Sequence, residues 1–357
     1  MPATFLLYGS YGYTGNLIAR LAVQRGLRPI LAGRDPQKVA QLATELGLEH
    51  VAFSLDDTGA LDRTLHQAAV VLHCAGPFSH TSRPMADACL RTGTSYLDIT
   101  GEIAVFEALA RRDAAAKAAG VMLLPGAGFD VVPSDCLAAH LKHRLPSATS
   151  LALGILGLGG GPSRGTATTM IEGLGQTGLV RRNGKLTSIA MGSLTRQIDF
   201  GRGPVASVAI PWGDVSTAFF STGIPNIEVY FAYPASMRRA LSGMHYARRL
   251  LGLAPVQGLL KRALRTRPPG PSDEQRAKGK SLLWGEVVDA AGQRCVSRLR
   301  TPDGYTLTAL TAVAIVEKVL AGQLTPGFQT PSLAYGPDLI MEIEGVERED
   351  QQLTIDN

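Results

Sequence analysis

The sequence predicts an α/β protein in which a doubly wound parallel sheet is followed by a second, α+β domain with a mostly antiparallel sheet. Short apolar runs alternate with helical patterns from residue 5 to residue 130, which is typical of βα units in a parallel sheet. Glycine-rich and strand-like segments then replace the alternation. The predicted domains are residues 1–135, residues 136–304, and a C-terminal helix and tail, 305–357, that return to the first domain.

A glycine loop follows the first predicted strand. "TFLLY" is a short apolar run, "GNLIARLAVQRG" has apolar residues at helical intervals, and glycines join the two. Backbone N–H groups in the first turn of a helix have no intrahelical partners, so a pyrophosphate binds there. The loop therefore predicts a Rossmann-type dinucleotide site, although the same spacing also occurs in turns that bind no ligand. The residues expected to contact the dinucleotide are Gly9, Tyr11, Gly12, Tyr13, Thr14 and Gly15.

The end of the second predicted strand selects the cofactor. "RPILAGRDPQKVAQLATELG" completes a βαβ unit and places Arg34 where an acidic residue would bind the ribose diol of NAD. A guanidinium pairs instead with a 2′-phosphate, and Lys38 supplies a second cation, so we predict NADP, used as NADPH. Asp35 lies near enough to accept from a ribose hydroxyl, which leaves use of NAD open. A solvated loop charge is the alternative for Arg34.

The strand "AVVLHCAGPF" predicts the nicotinamide end of the site. We place this strand near the middle of the sheet, on the far side of the switch point from the second strand. Its C-terminal loop, Ala75, Gly76, Pro77 and Phe78, is where an open α/β sheet holds the nicotinamide.

Hydride transfer usually needs a neighbouring proton donor, and we take Tyr96, Asp98 and Asp130 as candidate catalytic residues because they follow strands at the ligand-binding edge. Glu102 lies in the same region. Each has a structural alternative: Asp98 caps a turn, Asp130 holds its loop, and the nearby Ser134 starts a helix as its N-cap.

The second domain contains the candidate substrate residues. "QIDFG", "SVAIPWGD", "NIEVYFAYP" and "YTLTA" are predicted strands, and "TALTAVAIVEKVLAGQL" is a predicted helix. "GPSRGTATTM" predicts a helix start capped by Ser163 or Thr166, where Arg164 could dock a carboxylate or carrier phosphate. Trp212 and Asp214 are further candidates for the substrate cleft.

Composition excludes several classes of function. The net charge of +5 is too modest to indicate nucleic-acid binding, and no zinc-finger or recognition-helix pattern occurs. The cysteines lack CxxC spacing, and the pair His140 and His143 lacks a third ligand, so we predict reduced thiols and no metal site. Without a signal peptide or a membrane-spanning run, we expect a cytoplasmic protein. The cysteines are Cys74, Cys89, Cys136 and Cys295.

Residues 237–267 are rich in leucine and arginine, which is the composition of a basic amphipathic helix pair. Such a pair binds anionic membrane surfaces, so we predict peripheral membrane contact through this segment. A solvated helix pair with extended arginine side chains is the alternative.

Several motifs resemble the saccharopine dehydrogenase-like superfamily: "GSYGYTG", "LAGR", "HCAGPF", "YLDITGE" and "GFDVVPSD", in this order. "IPWGDVSTAFFSTGIPNIEVY", "GYTLTA" and "TPSLAYGPDLIMEIEG" are similar to the branch that includes trans-acting enoyl reductases. The resemblance implies an NADP-binding Rossmann domain, a second domain inserted before the C-terminal helix, and a homodimer.

These observations predict an NADP-dependent oxidoreductase, which reduces a carbon–carbon double bond in an apolar or carrier-linked acyl substrate of lipid metabolism. One alternative is a non-catalytic NADP-binding sensor that attaches to a membrane or a partner. Another is an amino-acid reductase of the saccharopine type. The absence of a YxxxK pair from the sequence argues against the mechanism of short-chain dehydrogenases.

Overall fold

The computed structural model describes residues 4–239, 250–264, 266–352 and 354–355. The strands are β1 Phe5–Tyr8, β2 Ile30–Gly33, β3 His50–Ala52, β4 Val70–His73, β5 Ser95–Asp98, β6 Met122–Leu124, β7 Ala148–Leu158, β8 Gly178–Arg182, β9 Lys185–Ile189, β10 Thr195–Asp199, β11 Pro204–Ala209, β12 Asn226–Phe231, β13 Lys280–Asp289, β14 Gln293–Pro302, β15 Gly327–Phe328, β16 Glu347–Asp350 and β17 Thr354–Ile355.

The helices are α1 Tyr13–Gln24, α2 Pro36–Leu46, α3 Thr58–Leu65, α4 Phe78–Thr92, α5 Ile103–Ala110, α6 Asp113–Ala118, α7 Val132–Arg144, α8 Arg164–Gly173, α9 Asp214–Thr222, α10 Ala254–Leu264, α11 Asp273–Lys278, α12 Gly304–Leu320 and α13 Pro331–Tyr335. A short 3₁₀ helix spans Leu339–Glu342.

The chain forms two compact units. Unit 1 comprises Met1–Val132 and Tyr305–Ala334, and unit 2 comprises Pro133–Gly304 and Tyr335–Asn357. The segment 305–357, which the sequence predicts to return to the first domain as a whole, is therefore divided between the two units.

Unit 1 is built on a parallel sheet, and its described strands follow the order β15-β6-β5-β4-β1-β2-β3. Every residue of β1, β2 and β4 is buried, as expected for central strands covered on both faces. The order reverses between β1 and β4, so the loops after these two strands lie side by side at the carboxyl edge, where α/β proteins bind ligands. The predicted doubly wound sheet is confirmed.

Unit 2 contains a mixed sheet with the strand order β10-β11-β12-β7-β13-β14-β16. The strand pairings along this order are antiparallel except that of β12 with β7, which confirms the predicted α+β domain. Helix α7 packs on one face, since a side chain at Gly285 would come within 2.6 Å of Leu141. On the other face Ile198 of β10 joins Ala152, Trp284 and Val296 in an apolar core.

Two local predictions were wrong. "YTLTA" is the first part of helix α12 and not a strand; its alternating apolar and β-branched residues are typical of a strand, but Leu307, Thr308 and Thr311 are buried at helical spacing. Ser134 is not an N-cap, because α7 already begins at Val132. The alanine-rich segment "VFEALARRDAAAKAAG" forms two helices, α5 and α6.

No helix in the described part of the chain is long and apolar enough to cross a membrane.

Candidate functional site

The glycine loop after β1 is packed too closely for side chains. Gly9 has φ +84°, and a Cβ atom there would lie 2.8 Å from the Ala75 nitrogen. A Cβ atom at Gly15 would lie 2.3 Å from the Gly9 oxygen. The loop therefore folds back on the start of α1 and lies against the chain that leaves β4.

This loop fits a dinucleotide pyrophosphate. Helix α1 begins after Gly12, which caps it without a side-chain hydrogen bond, and no acidic residue lies in its first turn. Backbone N–H groups at such a helix start attract phosphate oxygens, and the glycines let those oxygens approach the backbone. Tyr13 and Thr14 begin the helix, and the Tyr13 ring meets the Tyr305 ring edge-on at 5.1 Å.

The residues after β2 form a cationic edge suited to a 2′-phosphate. Arg34 is exposed, and no ion pair or side-chain hydrogen bond within the described part of the chain involves it. The Lys38 ammonium lies 3.0 Å from Asp35 and 5.7 Å from the centre of the Tyr11 ring. Lys38 lowers the pKa of Asp35, and the Asp35 side chain also accepts from the Lys38 backbone N–H as the N-cap of α2. Asp35 is thus engaged in local contacts, which favours Arg34 as the residue that binds the 2′-phosphate on the ribose.

A buried histidine braces the loop after β4. Thr81 donates its hydroxyl proton to the Ala75 or Pro77 carbonyl oxygen, at 2.7 and 3.1 Å, and lies 2.9 Å from His73 Nε2. A hydroxyl has one proton, so the hydroxyl accepts from His73 and Nε2 carries the imidazole proton. Burial lowers the pKa of His73 to about 3, which keeps the ring neutral. The Phe78 ring stands edge-on to it at 5.5 Å.

Glu102 fixes the same loop from the neighbouring strand. Its two carboxylate oxygens accept from the backbone N–H groups of Phe78 and Ser79, each at 2.8 Å. A carboxylate at a helix start compensates the positive end of the helix dipole. Glu102 therefore anchors α4, which places the predicted nicotinamide loop, Ala75 to Phe78, between two fixed points.

Tyr96 and Asp98 form a closed network at the end of β5. Both side chains are fully buried. The Tyr96 hydroxyl donates to Asp98 Oδ2 at 2.6 Å, and the backbone N–H groups of Thr100 and Gly126 donate to Asp98 Oδ1 at 3.0 and 2.9 Å. Burial raises the pKa of Asp98 to about 6, against the effect of these hydrogen bonds. The geometry favours a structural role for this pair, which ties the loops after β5 and β6 together.

Asp130 has a different environment in the turn after β6. Burial raises the pKa of its carboxyl group to about 6, but within the described part of the chain the carboxylate makes no hydrogen bond or ion pair. A Cβ atom at Gly101 would lie 2.7 Å from Asp130 Oδ2, so the missing side chain at Gly101 makes room for the carboxyl group. Of the three predicted catalytic residues, Asp130 alone has side-chain oxygens that make no hydrogen bond or ion pair within the described part of the chain.

The candidate substrate residues lie in unit 2. Arg164 is exposed at the start of α8, which Ser163 caps by accepting from the Thr166 N–H at 3.2 Å; the predicted cap is confirmed. Trp212 is half-buried, 6.2 Å from the Phe231 ring.

Asp214 is fully buried and accepts from the Ser134 hydroxyl at 2.7 Å. This hydrogen bond links α9 to α7. Asp214 therefore has a structural partner, whereas the roles of Arg164 and Trp212 in substrate binding remain predictions.

Known proteins support the reading of the glycine loop. Residues 5–124 match the family model of the saccharopine dehydrogenase NADP-binding domain. This segment is similar to that NADP-binding domain. The chain is 26% identical over 208 residues to a saccharopine dehydrogenase-like oxidoreductase of Mus musculus, covering 51% of this chain and 48% of the relative.

The chain also resembles bacterial enoyl reductases. It is 32% identical over 149 residues to a trans-acting enoyl reductase of Mycobacterium ulcerans, covering 39% of this chain and 35% of the relative. The chain thus spans about half or less of the length of these curated relatives. The predicted resemblance and the NADP cofactor are confirmed, and the similarity supports an oxidoreductase.

A solved structure supports the fold over the whole chain. Apo saccharopine dehydrogenase (L-Glu forming) from Saccharomyces cerevisiae superposes with a TM-score of 0.67 at 15% identity, covering 98% of this chain and 100% of the other. At that identity the likeness concerns the fold alone.

Sequence reasoning missed three residues that shape the site. His73 and Thr81 were overlooked because a histidine at the end of an apolar strand and a threonine in a helix carry no motif. Glu102 lies in the same region as the candidate acids, but the role of its oxygens, which cap α4, was not predicted. The spacing of Glu102 after "YLDITG" gives no sign of this contact, since it joins residues 24 positions apart.

Proposed function

We propose that the protein is an NADPH-dependent reductase of a carbon–carbon double bond in an apolar or carrier-linked acyl substrate, with Asp130 as the proton donor. The half-buried carboxyl group of Asp130, which makes no hydrogen bond or ion pair within the described part of the chain, carries this proposal. The similarity to trans-acting enoyl reductases over 149 residues supports the substrate class.

Different residues of the chain are proposed to bind the cofactor and to donate the proton. The glycine loop would hold the pyrophosphate of NADPH, and Arg34 with Lys38 would bind its 2′-phosphate. When bound, NADPH supplies a hydride to one carbon of the double bond. Asp130 donates its proton to the neighbouring carbon and then regains a proton from water. A carboxyl group with a pKa near 6 is still partly protonated at neutral pH, which suits a general acid.

The His73–Thr81 pair and Glu102 hold the loop from Ala75 to Phe78 in one conformation. A fixed loop limits where the nicotinamide ring can lie, and accurate placement of reacting atoms lowers the barrier to hydride transfer.

Cofactor preference is tested by calorimetric titration with NADPH and NADH. Arg34→Ala should weaken NADPH binding roughly tenfold to a hundredfold, because a hydrogen-bonded charge pair contributes about 1.5–3 kcal/mol, and should leave NADH binding nearly unchanged. Arg63→Ala in α3 is the matched control for loss of one surface charge. An unchanged preference in Arg34→Ala would remove Arg34 from the cofactor site.

Chemistry is tested by NADPH oxidation with enoyl thioesters of increasing chain length. Asp130→Asn should bind NADPH as the parent does and reduce turnover by about 10²–10⁴-fold. Full turnover in this variant would exclude Asp130 as the donor. If none of the thioesters supports oxidation of NADPH, the substrate class is rejected. The cofactor assignment would still stand, and the alternative of a non-catalytic NADP-binding sensor would be favoured.

Membrane contact and a homodimer remain proposals. Within residues 237–267, the Leu259 side chain is 71% exposed, whereas Lys261 pairs with Glu172 of α8 at 2.6 Å and is less free to meet lipid. Arg248, Arg249 and Arg265, which belong to the basic pattern, lie outside the described residues. Sedimentation with anionic vesicles tests the contact, and Leu259→Glu should abolish it; light scattering tests the dimer.

A further inference from the structure

Unit 2 contains a charged cavity that the proposed reaction does not use. It has a volume of about 280 Å³ and lies on the face of the mixed sheet that β10 covers. Ser150 and Ala152 of β7 line it together with Arg182, Arg196, Glu228 and Glu286. A volume of this size suits a small metabolite.

The strand register creates the cavity. Ala152 pairs with Glu228 of β12 on one side and with Glu286 of β13 on the other. Paired residues point to the same face, and neighbouring strands lie about 4.8 Å apart, so the two glutamates stand roughly 9–10 Å apart with only a methyl group between them. The small side chain of Ala152 leaves a notch with a charged wall on each side.

The charged residues in and beside the cavity carry more positive than negative charge. Arg182 pairs with Glu228, while Arg196 and Arg294 both pair with Glu286. The two arginines and two glutamates of the lining balance, so the positive charge in excess comes from Arg294, which pairs with Glu286 from outside the lining. Glu286 is only 4% exposed. The two arginines that pair with it compensate its negative charge, so it repels an approaching anion less than an unpaired carboxylate would.

The arginines also retain hydrogen-bond donors. A guanidinium has five N–H groups, and within the described part of the chain Arg196 donates only to Glu286. Its guanidinium carbon lies 5.0 Å from the centre of the Trp284 ring. The ring and the glutamate together fix the guanidinium in place, which reduces the entropy lost when it binds a ligand.

We infer that this cavity is a binding site for a small oxyanion, with carboxylate or phosphate oxygens held by Arg182 and Arg196. The inference does not depend on the proposed reductase activity, because every residue that lines the cavity lies in unit 2. The ligand neutralises the excess positive charge and takes up the unused guanidinium donors.

The test is calorimetry of the full chain with inorganic phosphate and with succinate at constant ionic strength. Saturating NADPH is present so that the glycine loop is already filled. Arg196→Gln should weaken binding at least tenfold, and Glu286→Gln, which removes a competing carboxylate, should tighten it severalfold. Arg300→Gln is the matched control, since it removes a charge from β14 outside the cavity.

Opposite responses of the arginine and glutamate variants support the site, and the stronger of the two anions identifies the source of the oxygens. Equal affinities in all variants would show adventitious binding and overturn it. If Arg196→Gln does not fold, Arg182→Gln provides the same test. No binding by the parent chain would also overturn the inference. A change of oligomeric state in either arginine variant, measured by light scattering, would then assign the cavity to contact with a second copy.

Discussion

Asp98 and Asp130 are two carboxyl groups in unit 1 with the same perturbed acidity and different surroundings. Burial raises the pKa of each to about 6. Asp98 accepts three hydrogen bonds, from Tyr96, Thr100 and Gly126, whereas Asp130 accepts none from the described chain. A raised pKa therefore does not distinguish a structural carboxyl group from a reactive one. The number of hydrogen bonds that its oxygens accept does.

The largest expected effect is on stability at Asp98. Asp98→Ala should lower the free energy of unfolding by about 3–5 kcal/mol, because it leaves buried donors without an acceptor. Asp130→Ala, which removes no hydrogen bond of the described chain, should lower it by less than about 1 kcal/mol at pH 4, where the carboxyl group is still protonated. Urea denaturation measures both, and equal losses would show that Asp130 too is structural.

The sequence predicted the parallel sheet and the glycine loop because both depend on local patterns. Apolar runs, helical spacing and glycines specify β1, α1 and β2 without reference to distant residues. It could not rank Tyr96, Asp98 and Asp130, since the ranking depends on contacts such as that of Gly126 with Asp98, 28 positions away. The strand prediction for "YTLTA" failed for a related reason: Thr308 accepts from the Phe129 N–H at 3.0 Å, a contact that only the folded chain provides.

The His73–Thr81 pair is, like Asp98, part of a hydrogen-bonded network in unit 1. Thr81→Val should cost about 2–3 kcal/mol, because the buried imidazole N–H loses its acceptor and one carbonyl group loses the Thr81 proton. By loosening the loop from Ala75 to Phe78, it should also weaken NADPH binding severalfold. Thr81→Ser keeps the hydroxyl and serves as the control. Parent-like NADPH affinity in Thr81→Val would show that the brace does not reach the cofactor.

The smallest effect is the pH dependence that Asp130 contributes. Its pKa is higher in the folded chain than the usual 3.8, so the folded state binds this proton more tightly than the unfolded state. Its contribution to stability is complete below pH 4 and is lost as the pH rises to about 6. Asp98 acts in the same direction, but His73, with a pKa lowered to about 3, acts in the opposite one.

The contribution of Asp130 is therefore obtained only by comparing the pH dependence of the free energy of unfolding between a variant and the parent. The free energy of unfolding of Asp130→Asn should fall less steeply than that of the parent between pH 4 and 6, by up to about 1.4 kcal/mol per pH unit. The variant should consequently be the more stable protein at pH 7, by roughly 1–3 kcal/mol. A gain in stability combined with a loss of turnover is the signature of a charge kept for function. If the two pH curves run parallel, the carboxyl group is more hydrated than its surroundings indicate, and its suitability as a proton donor near neutral pH is lost.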